Sequence, residues 1–179
     1  EIYTLSLHDA LPISEEKECH IMYNASLMVL LWNSLAARDV RLMQRSMSID
    51  YGTPKDGVWI NYARCHDDIG WGFEKDIIRD LGMDPEAHKQ FIIQFMEGKF
   101  PGSFAKGELY EFNPETLDAR NSGTMASLCG LEEAFDKKDR YKLELAVKRI
   151  LLLNSVIISY TGIPLRYSSD EIGTLNWWE

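Results

Sequence analysis

The chain predicts an α/β fold, because apolar strands alternate with helical segments along it. One strand is expected at residues 58–64, where β-branched and aromatic residues run together, and another at residues 163–168. Before and between them, apolar residues recur at helical spacing. This alternation is typical of helices packed on a parallel sheet.

The elements follow from periodicity and from the residues that end helices and strands. Residues 22–47 predict a helix, and residues 48–57, rich in Gly, Pro and Asp, predict a connection to the first strand. Further helices are expected at 74–81, 85–97, 122–135 and 139–160. Asp84 is the predicted N-cap of the second of these, with Pro85 in its first turn. Residues 99–121 predict a loop region rich in Gly, Pro and aromatic residues.

The first predicted strand stops abruptly at Arg64-Cys65-His66-Asp67-Asp68. Titratable side chains at the carboxyl end of a buried strand are typical of active sites in barrel enzymes. The alternative is a strand that ends in a solvated polar turn. A Cys65–His66 nucleophilic pair is disfavoured because neighbours on an extended chain diverge. A metal site at these residues is disfavoured because three consecutive ligands do not easily converge, so no metal or cofactor is predicted.

Several ordered blocks of the chain carry a resemblance to a known family. They are Glu18–Asn24, Leu35–Met43, Arg64–Trp71, Gly102–Gly107, Asp118–Thr124, Gly162–Leu165 and Asp170–Asn176. Together they resemble the α-amylase family (glycoside hydrolase family 13), and the string Arg-Cys-His-Asp-Asp-Ile-Gly-Trp resembles its amylosucrase branch. The resemblance covers roughly residues 15–176.

The resemblance implies a partial (β/α)8 TIM barrel, from its sixth helix to its eighth strand. Residues 15–68 and 122–176 would be barrel portions. Residues 69–121, too long for an ordinary loop between strand and helix, would be a helical subdomain inserted after the seventh strand. A whole barrel needs about 250 residues, whereas this chain has 179. The chain is therefore expected to be the C-terminal barrel portion of a larger enzyme.

The resemblance also assigns roles to individual residues. Asp67 would stabilise the oxocarbenium-like transition state of glycosidic cleavage, and His66 would donate a hydrogen bond to the glucosyl ring. Asp68 would line the pocket wall on the acceptor side, and Arg120 matches the acceptor-side arginine. Lys89 stands where the branch often has Arg, a replacement that keeps the charge but loses the two-pronged guanidinium.

The expected function is that of a retaining sucrose- or α-glucan-active hydrolase or glucosyltransferase. The family's Asp nucleophile and Glu acid/base lie on earlier strands than this chain contains, so the isolated chain is expected to be inactive. One alternative is a truncated carbohydrate-binding remnant without chemistry of its own. Another is an unrelated α/β domain in which the His-Asp pair is incidental.

Composition bounds the partners. The net charge of −9 argues against nucleic-acid and anionic-membrane binding, which need a basic surface, whereas neutral sucrose or an α-glucan makes no such demand. Three widely spaced cysteines form no disulfide framework, which favours a reducing compartment and a cytoplasmic location.

The two ends depart from the family pattern. Residues 1–14 resemble a translated sequencing-adapter or cloning remnant, so the His8-Asp9 pair is not expected to be a site. Residues 177–179, Trp-Trp-Glu, stand where the branch has acidic residues, and are interpreted as a possible second junction.

Overall fold

A computed structural model describes residues 21–49, 57–66 and 68–178. The predictions for residues 1–14 and for Asp67 therefore lie outside the described residues. The described helices are α1 (Ala25–Ala37), α2 (Arg41–Met47), α3 (Lys75–Asp80), α4 (Pro85–Glu97), α5 (Met125–Leu128), α6 (Leu131–Asp136) and α7 (Arg140–Ser159). The described strands are β1 (Ile21–Tyr23), β2 (Val58–Asn61), β3 (Ile69–Gly70), β4 (Glu108–Asn113), β5 (Asp118–Ser122) and β6 (Ile163–Pro164). A short 3-10 helix follows at Asp170–Ile172.

Three strands form a parallel sheet in the order β1-β2-β6. Parallel neighbours need long crossover connections, and helices α1 and α2 provide the first of them. The second crossover contains every element from β3 to α7. The arrangement is a mixed α/β one; the (β/α)8 barrel remains a prediction.

The single helix predicted at residues 22–47 is wrong at its start and in its middle. Residues 21–23 form β1, which pairs with Val58–Ile60, and the side chain of Asn24 then caps α1 by accepting a hydrogen bond from the Leu27 amide. The helix ends at Arg38, whose φ of 55° is left-handed. Periodicity hid both breaks because the apolar residues continue through them.

A second, antiparallel sheet has the order β3-β5-β4. Its β4–β5 hairpin lies in residues 99–121, where a loop region was predicted, so that prediction is wrong. In β5 the side chains alternate: Ala119 and Asn121 are buried, whereas Asp118, Arg120 and Ser122 are partly exposed. The segment is too polar for an apolar run, which is why its strand character was missed. The predicted insert, expected to be helical, thus contains two helices and three strands.

Helix α4 is confirmed with its predicted bounds, and the Asp84 carboxylate accepts a hydrogen bond from the Ala87 amide at 2.8 Å. Helix α7 is confirmed to within one residue at each end, with Asp139 as N-cap. The helix predicted at 122–135 is instead divided at Gly130, whose φ is 93°. The last strand is shorter than predicted, at two residues.

One hydrophobic cluster joins the antiparallel sheet and the segment that follows β2 to the helices around them. Its fully buried members include Leu27, Trp32, Ile92, Met96, Leu128 and Leu153. The cluster draws on α1, α4, α5 and α7 and therefore crosses the boundaries predicted at residues 68 and 122. The predicted insert therefore shares its core with the predicted barrel portions.

Candidate active site

The carboxyl end of β2 is fixed by hydrogen bonds to its neighbours. Asn61, fully buried, accepts a bond from the Asn24 amide group and donates one to the Thr161 carbonyl at 3.1 Å. Two residues on, the Ala63 carbonyl accepts a bond of 2.7 Å from the Trp32 indole. The strand end is thus tied to β1, to α1 and to the segment before β6, which gives the next residues a fixed starting point.

Arg64 extends this support on the other side. Its Nε donates to the Gly123 carbonyl at 3.0 Å, and its Nη1 lies 3.3 Å from both carboxylate oxygens of Asp170. The guanidinium also lies over the ring of Tyr167, 4.4 Å from its centre. These contacts join the end of β2 to the start of α5 and to the 3-10 helix.

Asp170 is the buried partner in this arrangement. Burial raises the pKa of Asp170, although Arg64 and the hydrogen bond from the Met125 amide act in the opposite direction. The carboxylate joins the 3-10 helix to Arg64 and to the first residue of α5.

The predicted sugar-binding segment follows directly. His66 is exposed and Asp68 is partly buried just before β3; Asp67, between them, lies outside the described residues. Strand β2 ends at Asn61, three residues earlier than predicted. Because the alternation of an extended strand has ended, neighbouring side chains here need not point to opposite sides.

Arg120 is brought next to this segment by sheet pairing. In β5 it lies opposite Gly70 of β3 on one side and Tyr110 of β4 on the other. Opposite residues of antiparallel strands are about 4.5–5.5 Å apart at Cα, and Gly70 is only two residues beyond Asp68. The Arg120 Nε lies 3.3 Å from the Glu111 carboxylate, a partner that the sequence did not reveal.

Lys89 lies farther along the same face. It projects from α4, and its Nζ is 2.6 Å from the Asp118 carboxylate. Asp118 and Arg120 share a face of β5 because they are two residues apart. In the antiparallel register Asp118 lies on the side of Arg120 away from Asp68.

A groove that sequence reasoning missed opens beside Arg64. It has a volume of about 210 Å³ and is lined by Arg64, Glu108, Ser122, Thr124, Trp177 and Trp178, among others. Strand pairing of Glu108 with Ser122 forms one side, and the C-terminal segment forms the other. Only the two adjacent tryptophans could have drawn attention to it in the sequence.

The C-terminal segment is fastened to the core through Glu132. This carboxylate is buried and accepts bonds from the Ser127 hydroxyl at 2.5 Å, from Lys106 at 2.7 Å and from the Trp178 indole. Burial raises the pKa of Glu132, but the bonds from Lys106, Ser127 and Trp178 outweigh it, so the pKa lies below its ordinary value. Residues 177–178, interpreted as a possible junction, therefore contact the fold closely.

Asn176 completes this attachment. Its side chain accepts a bond from the Thr124 amide at 2.8 Å and donates one to the Lys106 carbonyl at 2.7 Å. Lys106 is itself engaged by Glu132 and Asp136. The C-terminal segment that forms this side of the groove is thus held to the fold by the side chains of Asn176 and Trp178.

The described residues were also searched for a metal site, a reactive thiol and a membrane-spanning helix. Among residues 21–49, 57–66 and 68–178, no group of three or more His, Cys, Asp and Glu side chains is placed to hold a metal ion. Cys129 is a buried thiol whose pKa burial raises strongly, so it is a poor nucleophile. No described helix combines the length and apolar character that crossing a membrane requires.

The chain was also compared with models of protein families. None of these family models matches it.

Proposed function

We propose that this chain is part of a retaining glucosyl-transferring or hydrolysing enzyme that acts on sucrose or an α-glucan. The observation that carries the proposal is the register of β5, which sets Arg120 beside the segment that begins at His66. Arg120 thus lies opposite Gly70, two residues beyond Asp68, in the strand pair that follows the carboxyl end of β2. Parallel α/β folds bind their ligands at this edge.

Asp67 would act on the cleavage step. Glycosidic cleavage places positive charge on the anomeric carbon, and a carboxylate beside that carbon stabilises the charge as it develops. The exposed imidazole of His66 would bond a ring hydroxyl in the same subsite. Neither residue replaces the nucleophile or the proton donor, which the proposal assigns to other strands of the complete enzyme.

Asp68 and Arg120 would hold the second sugar. A guanidinium offers five donors, and strand pairing with β3 and β4 sets the backbone position of this one. The fructosyl unit of sucrose, or an incoming acceptor, would accept bonds from it. Lys89 would lie beyond this subsite, with its ammonium held by Asp118.

The proposal includes a neutral carbohydrate substrate and a reducing, cytoplasmic setting. Cys65 and Cys129 are free thiols among the described residues. The net charge of −9 is unsuited to polyanionic partners.

The test is an Asp67→Asn substitution in an enzyme completed with the preceding barrel strands. We expect kcat to fall about 10³-fold or more, equivalent to about 4 kcal/mol, with a much smaller change in KM, because the lost charge acts mainly in the transition state. Asp76→Asn, which removes an exposed carboxylate on α3, is the matched control and should leave kcat unchanged.

Retention of a tenth of wild-type kcat by Asp67→Asn would refute the assignment. A completed enzyme that binds sugars but shows no turnover at all would favour the alternative of a non-catalytic carbohydrate-binding remnant.

A further inference from the structure

The groove beside Arg64 offers one ligand both a donor and an acceptor. Arg64 only donates hydrogen bonds, and the Glu108 carboxylate only accepts them. An anion would be repelled by Glu108. The charge of Arg64 is already paired with Asp170 at 3.3 Å, so Arg64 offers its remaining N–H groups as donors. Neighbouring hydroxyl groups satisfy both, because each hydroxyl can donate and accept.

Two indole rings supply the apolar part of the same groove. Trp177 is 86% exposed and Trp178 is 48% exposed. Tryptophan is enriched at binding interfaces, because the indole combines a large apolar face with an N–H donor. A pyranose ring has the matching surface, since its C–H groups form an apolar face and its hydroxyls project from the rim.

The wall that carries these rings is held in place before any ligand arrives. Trp178 donates to the buried Glu132, and the Asn176 side chain bonds to Thr124 and Lys106. Preorganised walls lose less conformational entropy on binding. The volume of about 210 Å³ is below the range of about 300–1,000 Å³ usual for drug-sized ligands, which fits one sugar ring better than a long chain.

From these observations we propose that the groove of Arg64, Glu108, Ser122, Trp177 and Trp178 is a subsite for a neutral pyranose. One face of the ring stacks on an indole, and two neighbouring hydroxyls bridge Arg64 and Glu108. The inference deepens the proposed function and rests on it for the sugar class. The subsite would hold an outlying glucosyl unit of a substrate or product. Its lining residue Arg64 is two residues before His66 in the sequence.

The test uses the full chain and maltose as the probe. Indole N–H resonances of Trp177 and Trp178, assigned through the Trp177→Ala variant, are followed during titration. We expect both to shift, with a dissociation constant on the order of 1–10 mM. Glucuronate, which adds a negative charge to the ring, should bind more weakly, because Glu108 repels it.

Two groove variants and one control make the result specific. Trp177→Ala and Glu108→Gln should each weaken maltose binding about fivefold or more, as read from the Trp178 signal. Tyr141→Ala removes an exposed aromatic ring on α7, outside the groove, and should bind as the wild type does. Native indole shifts at Trp32 and Trp71 show that each variant is folded.

The proposal is overturned if neither indole shifts up to about 100 mM maltose, or if both groove variants bind as tightly as the wild type. It is also overturned if glucuronate binds better than maltose. Because binding is measured without turnover, a positive result together with a fully active Asp67→Asn enzyme would reject the proposed function and keep the sugar site.

Discussion

At the scale of single residues, buried polar side chains determine how the candidate site is assembled. Asn61 joins β2 to its two neighbouring segments through side-chain hydrogen bonds. The Asn121 side chain accepts a hydrogen bond from the Trp71 indole at 2.7 Å and donates one to the Ile93 carbonyl at 3.3 Å. Each asparagine supplies a hydrogen-bond partner to another buried polar group. A buried polar group without a partner would destabilise the fold by about 1–3 kcal/mol. Such residues fix register as much as they add stability.

Arg120 gives a prediction that separates sucrose chemistry from a general glucosidase. In the completed enzyme, Arg120→Ala should lower kcat/KM for sucrose by about 10- to 100-fold, the loss of about 1.5–3 kcal/mol expected of a charge-assisted hydrogen bond. Cleavage of an aryl glucoside should be spared, because its leaving group needs little help. Products should shift from transfer towards hydrolysis.

The control for Arg120 is its ion-pair partner. Glu111→Gln keeps the guanidinium but removes the charge that lies 3.3 Å from it, and it should affect sucrose turnover by less than about threefold. Equal losses on sucrose and on the aryl glucoside in Arg120→Ala would show that Arg120 has only a structural role.

At the scale of elements, α1 and α4 are joined by a buried hydrogen bond between Asn33 and the titratable side chain of His88. The Nε2 of His88 lies 2.7 Å from the Asn33 Oδ1, and burial lowers the pKa of His88. The folded state therefore favours the neutral imidazole. Its contribution to stability is complete above the unfolded pKa of about 6.5 and is lost as pH falls towards the lower, folded pKa.

We expect His88→Gln to flatten this part of the stability curve. The free energy of unfolding of the wild type, from urea titrations between pH 8 and pH 5, should fall more steeply than that of the variant. Glutamine at this position can still form a hydrogen bond with Asn33, but it does not titrate in this pH range. Parallel curves for the two proteins over this range would contradict the assignment.

The break between α5 and α6 depends on Gly130. Its φ is 93°, and a Cβ there would lie 2.9 Å from the Phe104 carbonyl oxygen. Gly130→Ala should therefore lower the free energy of unfolding by about 2–3 kcal/mol, through backbone strain plus the close contact. Gly82→Ala is the control, because its φ is also positive at 78° but nothing lies within 4 Å of its Cβ.

Chemical denaturation measures both variants. Gly82→Ala should cost about 1 kcal/mol from strain alone. Equal costs at the two positions would show that the contact with Phe104 has relaxed and that only φ matters.

At the scale of the whole molecule, the parallel sheet and α7 leave apolar surface exposed. Among the described strands, β1 and β6 pair only with β2, and Ile21, Tyr23 and Ile163 are exposed beside these edges. On α7, Leu151 and Ile158 are also exposed. Open strand edges and contiguous apolar patches favour association.

We therefore expect the purified chain to associate as its concentration rises, measured by sedimentation velocity. Leu151→Lys combined with Ile158→Lys should reduce association, because charge opposes burial of the α7 surface. Tyr141→Lys, elsewhere on α7, is the control and should change it less. A monomer at all concentrations would contradict the expectation.

Local chemistry could be predicted where one segment carries the whole signal. Helix α4 has its cap, its first-turn proline and its apolar period within residues 84–97, and its predicted bounds are confirmed. The hairpin of β4 and β5 failed because its strands are stabilised by cross-strand pairing and by a few buried side chains, such as Asn121, rather than by an apolar run. Strand β1 was not predicted, because its partner strand β2 is 37 residues away in the sequence.

The sequence by itself determined the mixture of helices and strands, the helices with local caps and the polar segment that follows β2. These depend on contacts within a few residues. Only the tertiary structure placed Arg120 opposite Gly70, Arg64 against Asp170 and Trp178 against Glu132. Those contacts join residues 46 to 106 positions apart, and their geometry follows from sheet register and shared core packing, which no local pattern encodes.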